Sequence, residues 1–182
     1  TTTTVDCGAG SPTLTYGASI TCVATVTADS GTNSPTGTVS WTTGGAGSFA
    51  TSPCTLSGSG GTSSCSVTYT PSAVGSASHL ISASYHNTDG NFLLSNGYQY
   101  VTVTPKALTM SGLTVPSSKI YDATTVAVVS GTPALQASEP LGSGTISDGK
   151  PYTGDLVSIT GTAAGTYNTK DVLTATTVTF SG

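Results

Sequence analysis

The chain has 182 residues, of which 36 % are apolar and only 7 % charged; disorder normally pairs low hydrophobicity with high charge, so a folded chain of one large or two small domains is expected. Four Lys, no Arg and eight acidic residues give a net charge of −4, which excludes the cation clusters that nucleic acid or an anionic membrane surface demands. The longest purely apolar run, Val126 to Val129, is far too short for membrane insertion.

In chain order, "TTTTVDC" opens as a strand. "ASITCVATVTA" (18–28) alternates, setting Ile20, Cys22, Ala24 and Val26 on one face. "TGTVSWT" (36–42) does the same with Val39 and Trp41, and a short strand is expected near 48–51. "SCSVTYT" (64–70) aligns Cys65, Val67 and Tyr69, and "HLISASYH" (79–86) aligns Ile81, Ala83 and Tyr85. "GYQYVTVT" (97–104) closes the block after the tight-turn signal Asn96-Gly97. No stretch has a helical period. About seven short strands with regular turn signals predict an antiparallel β-sandwich over 1–104. Thr104-Pro105 interrupts the pattern, and a second all-β block follows over 105–182. The predicted class is therefore all-β, with two tandem β-sandwich-like domains. No signal peptide opens the chain, so a mature product or an excised fragment is expected.

Cys7, Cys22, Cys54 and Cys65 all lie in the first block. Neither the C-x₂₋₄-C spacing of zinc sites nor a redox C-x-x-C is present. An even count at wide spacing in a Ser/Thr-rich chain predicts structural disulfides and an oxidising compartment. Of the three possible connectivities, 7–22 with 54–65 needs the least rearrangement. In that pairing the second bond is expected to pin a hairpin.

The first block, with its strand "YGASITCVATVTA", its "PTGTVSW" and "YTPSAVGS" stretches and "SASYHNTDGNF", resembles the immunoglobulin-like repeats of large bacterial surface proteins. Cysteine-bearing variants of that family place Cys at these four positions. The second block resembles the YDG repeat of bacterial haemagglutinins and adhesins. Its K-x-Y-D-G-T-T motif stands here as Lys119-Ile120-Tyr121-Asp122-Ala123-Thr124-Thr125. Ala replaces a Gly at a position where positive φ would disfavour it, so a different local turn is expected. "GDLVSITGTA" and "YNTKDV" follow in the expected order. Such arrays usually continue with another strand, so Gly182 is expected to be a cut end. Both resemblances imply tandem repeats in a secreted or cell-surface protein.

Candidate chemistry is sparse. His79 and His86 bracket one strand seven positions apart, so they face opposite ways and are expected at the surface. No G-x-S-x-G elbow accompanies them. Glu139, Asp148 and Asp155 lie in turn-like contexts. Asn87, Asp89 and Asn91 form an oxygen-rich loop, a weak calcium candidate that lacks a bidentate carboxylate; the alternative is an Asx-type turn. Lys119 and Lys170 raise an amide cross-link to an Asn, but Asn168 is too near Lys170, and Asp122 offers Lys119 an ordinary ion pair. T-x-T pairs such as Thr25/Thr27 and Thr102/Thr104 lack the flat regular repeat that ice binding needs.

The expectation is a non-enzymatic stalk or spacer in an extracellular or cell-surface bacterial protein, needing no cofactor. Its partners would be neighbouring domains of a longer array, with no nucleic acid. The alternative is a ligand-binding adhesin module that contacts a glycan or protein through end loops 29–35, 86–97 and 136–153. Phe92, Tyr98 and Tyr152 would then supply stacking surfaces.

Overall fold

The computed structural model describes residues 1–182 and contains strands but no helix. The chain divides into two units, Thr1–Lys106 and Ala107–Gly182.

Unit one is built from ten strands. These are β1 (Thr2–Asp6), β2 (Thr13–Thr15), β3 (Ile20–Thr27), β4 (Thr38–Thr43), β5 (Gly47–Phe49), β6 (Cys54–Thr55), β7 (Ser57–Ser59), β8 (Thr62–Pro71), β9 (Ser78–His86) and β10 (Asn96–Thr104). One sheet runs β1-β3-β8-β5, with β7 also on β8; the other runs β2-β10-β9-β4-β6. This is the strand order of an immunoglobulin-type sandwich. β2 lies parallel to β10 while the remaining pairs are antiparallel. The seven strands expected from alternation are present. The three additional ones, β2, β6 and β7, have two or three residues each, too few to establish a period of two.

Alternation builds the core directly. Cys22, Ala24 and Val26 of β3, Val39 and Trp41 of β4, Val67 and Tyr69 of β8, Ile81, Ala83 and Tyr85 of β9, and Val101 of β10 form one buried cluster. Fully burying a side chain of this size contributes about 1.5–3 kcal/mol. The buried Trp41 donates its indole hydrogen to Cys54 Sγ at 3.1 Å.

Both disulfides form, Cys7–Cys22 and Cys54–Cys65, and no cysteine is free. The first joins neighbouring strands of one sheet: Asp6 pairs with Val23, so Cys7 falls opposite Cys22. The second corrects the hairpin expectation. Cys54 lies on β6, where it pairs with Val39 of β4, whereas Cys65 lies on β8 in the opposite sheet. The chain pairs with β4 before it crosses to β7, so this bond ties the two sheets together.

Unit two is thinner. It comprises β11 (Met110–Thr114), β12 (Val126–Ala127), β13 (Ser130–Leu135), β14 (Ala164–Tyr167) and β15 (Val178–Ser181). β11 pairs with β13, and β12-β14-β15 form a second small sheet. A bulge between Ser111 and Leu113 brings two glycines together: a Cβ on Gly112 would meet Thr132 O at 2.2 Å, and one on Gly131 would meet Gly112 O at 2.0 Å. Ala127 and Tyr152 are buried here, while Ile120, Leu156 and Leu173 are almost fully exposed.

Candidate functional site

One cleft of unit two surrounds the Lys119–Thr125 stretch. It has a volume of about 280 Å³ and is lined by Lys119, Tyr121, Asp122, Tyr167 and Lys170 among others. Lys119 is its organiser. Its Nζ donates to Val126 O (2.7 Å), Thr124 Oγ1 (2.9 Å) and Thr124 O (3.2 Å), pairs with Asp122 Oδ1 (2.8 Å), and lies 5.7 Å from the Tyr167 ring centre. Asp122 Oδ1 also accepts the amide and the hydroxyl of Thr124. The Lys119 ammonium first, then the Thr124 amide and hydroxyl, hold the Asp122 carboxyl at about 2. Between them Ala123 takes φ of 62°. Ala123 thus adopts the positive φ that disfavours an L-residue, and the side-chain clamp on either side holds a left-handed conformation that costs about 1–2 kcal/mol.

Residues 104–182 match the family model of the YDG domain. No match was found among curated proteins or among solved structures.

In the YDG domain Asn168 closes the 168–177 loop. Its Nδ2 donates to Thr174 O, and its Oδ1 accepts the amides of Thr176 and Thr177. Lys119 and Asn168 thus direct their polar ends to different partners, and Lys170 lies 3.9 Å from Asp171. The geometry is that of a loop clamp, not of a cross-link. The acidic residues of the same domain serve turns. Asp148 accepts the amides of Thr145 and Lys150, Asp155 accepts that of Tyr152, and Glu139 lies 3.8 Å from Lys150.

In unit one, the 86–97 loop uses its oxygens internally. Asn87 Oδ1 accepts the amides of Asp89 and Gly90, and Asn87 Nδ2 donates to Phe92 O. Asp89 accepts the Thr36 hydroxyl and the Asn91 amide, and these bonds, the first above all, lower its carboxyl from its ordinary value. This is the Asx-turn alternative. The three residues offered as stacking surfaces part company. Phe92 packs against the core and Tyr152 is buried, whereas Tyr98 is 69 % exposed. Its exposed companion is Tyr100, a residue the sequence reading passed over. The signal was there: a period of two puts both on the face opposite Val101 and Val103.

His79 corrects the surface expectation, being fully buried, while His86 is exposed. His79 Nε2 lies 3.0 Å from Val74 O, which can only accept, so Nε2 carries the hydrogen. Its Nδ1 then accepts from the Tyr69 hydroxyl at 2.6 Å. Gly45 and Gly47 make room for this pair, since a Cβ on either would lie within 2.6 Å of the His79 or Tyr69 ring. The imidazole is a structural group in a closed end of the sandwich.

Proposed function

We propose that the chain is a structural spacer, a stalk segment of a large repetitive secreted or cell-surface bacterial protein of adhesin type, without catalysis. The observation that carries this reading is how the chain runs through unit one. The Thr1 hydroxyl donates to Leu93 O and meets Ser95 Oγ, beside the start of β10. The chain leaves unit one past Thr104, the opposite end of that nine-residue strand, about 30 Å away. A unit entered at one end and left at the other adds its full length to an array. Tension along that line loads β2 and β10, a parallel pair, in shear, so their hydrogen bonds resist together instead of opening one at a time. The two disulfides exclude 8–21 and 55–64 from extension. They also fit an oxidising setting, and no helix is long and apolar enough to cross a membrane. The resemblance of residues 1–104 to bacterial immunoglobulin-like repeats and the YDG match of 104–182 support placement in a tandem array outside the cell.

Single-molecule pulling of the oxidised chain between flanking handles tests the spacer role. Unit one is expected to unfold as one high-force event and to extend about 80 Å further after reduction. Gradual low-force opening of the oxidised unit would refute the spacer role.

A further inference from the structure

A spacer has no use for the outward face of β10. Tyr98 and Tyr100 stand there 69 % and 48 % exposed, their ring centres 6.3 Å apart and their planes at 78°. The strand register sets Ser82 of β9 opposite Tyr98, with Thr42 of β4 beyond it, and Leu80 opposite Tyr100. Ser84 and Asn96 form the next row. Across the outward positions of these three strands there is no carboxylate and no ammonium, and His86 stands alone at the far end of β9.

We propose that this face binds a neutral polysaccharide. A sugar ring presents a weakly positive C–H face and a rim of hydroxyls. The negative face of an aromatic ring attracts the first, and side chains that both donate and accept, here Ser82, Ser84 and Thr42, satisfy the second. Two rings set nearly at right angles make a corner, one as floor and the other as wall, that seats one sugar unit. The lack of charge beside the two rings selects the class of ligand: no ammonium stands next to Tyr98 or Tyr100 to pair with a uronate or a sulfate. The site lies on the flat of the sheet and not in the end loops, so the body of a spacer can adhere along its length. The proposal goes beyond the spacer role and is tested by a different measurement.

The oxidised full-length chain is to be assayed for retention on cellulose, chitin, xylan, mannan and dextran, with alginate as an anionic control. The expected result is retention on at least one neutral polymer. Tyr98→Ala and Tyr100→Ala should each weaken it about tenfold, the loss of one stacked ring. Tyr98→Phe should retain most of it, because the ring and not the hydroxyl makes the contact. Both positions are exposed, so an unchanged thermal midpoint identifies folded variants. Retention on none of the neutral polymers, preference for alginate, or binding indifferent to both alanine variants would overturn the proposal. So would self-association in sedimentation velocity that Tyr98→Ala abolishes while no glycan is bound; that result assigns the face to a second copy of the chain.

Discussion

Tyr69 and His79 share one hydrogen bond of 2.6 Å inside the first sandwich, with the Thr43 hydroxyl donating to the phenol from 3.3 Å. Because Val74 fixes the imidazole tautomer, Tyr69 is the donor that satisfies Nδ1. Tyr69→Phe would leave that nitrogen buried and unpaired, at a cost of about 1–3 kcal/mol. Urea unfolding of unit one should show this as a lower midpoint at unchanged slope. A midpoint within error of the parent would mean that the bond contributes nothing to the fold.

The same burial sets the alkaline limit. Desolvation raises the Tyr69 and Tyr85 phenols above their ordinary value of 10.0, with repulsion from Asp89 adding to the second. The folded state therefore favours the neutral phenols. Their contribution is complete below pH 10 and is lost as pH rises through the higher folded values. Phenolate absorbance followed with near-ultraviolet circular dichroism should show these two ionising together with unfolding. Ionisation of all eight tyrosines ahead of any loss of structure would contradict it.

Much of unit one was legible because a period of two is a strong signal over six or more residues. Val39 with Trp41, and Ile81 with Ala83 and Tyr85, fall on the buried face as their spacing requires. The same parity reaches beyond the apolar residues. His79 shares the register of Ile81, so its burial was implied, yet a histidine at a strand end reads as solvated. The crossing of Cys54 to the other sheet was not legible, because β6 has only two residues and its pairing with β4 is a long-range event. In unit two the motif around Lys119 was visible, but composition has no term for a side-chain clamp that overrides the preference of Ala against positive φ.

Ala123 supplies a stabilising substitution. At φ of 62° a glycine removes about 1–2 kcal/mol of backbone strain and adds about 0.4–1 kcal/mol of unfolded-state entropy. Ala123→Gly should therefore raise the stability of the YDG domain by about 0.5–1 kcal/mol, read as a rise in its melting temperature. Destabilisation would show that the Ala methyl makes a contact worth more than the strain.

Asp122 gives the acid counterpart. Its carboxyl is held at about 2, against an ordinary 3.8, chiefly by Lys119. The clamp is thus complete above pH 3.8 and is lost as pH falls through 2. An NMR titration should place the Asp122 carboxyl near 2 in the parent and back toward 3.8 in Lys119→Met. If that substitution leaves the titration in place, the backbone of the turn and not the ammonium holds the charge.

The two disulfides should differ in what they hold, although their sequence separations of 15 and 11 give nearly the same loop-closure value, about 3 kcal/mol each. Cys7→Ala with Cys22→Ala frees one strand pair that still has its ladder from Thr2↔Thr27 to Asp6↔Val23. Cys54→Ala with Cys65→Ala removes the tie between sheets and also takes the sulfur from the Trp41 indole, leaving a buried donor to be satisfied elsewhere. An added penalty of about 1–3 kcal/mol follows. Guanidinium unfolding of the two double variants should rank the 54–65 loss as the larger, with a change in Trp41 fluorescence before the main transition. Equal midpoints would mean that loop entropy alone accounts for both bonds and that the sheets hold together without a covalent tie.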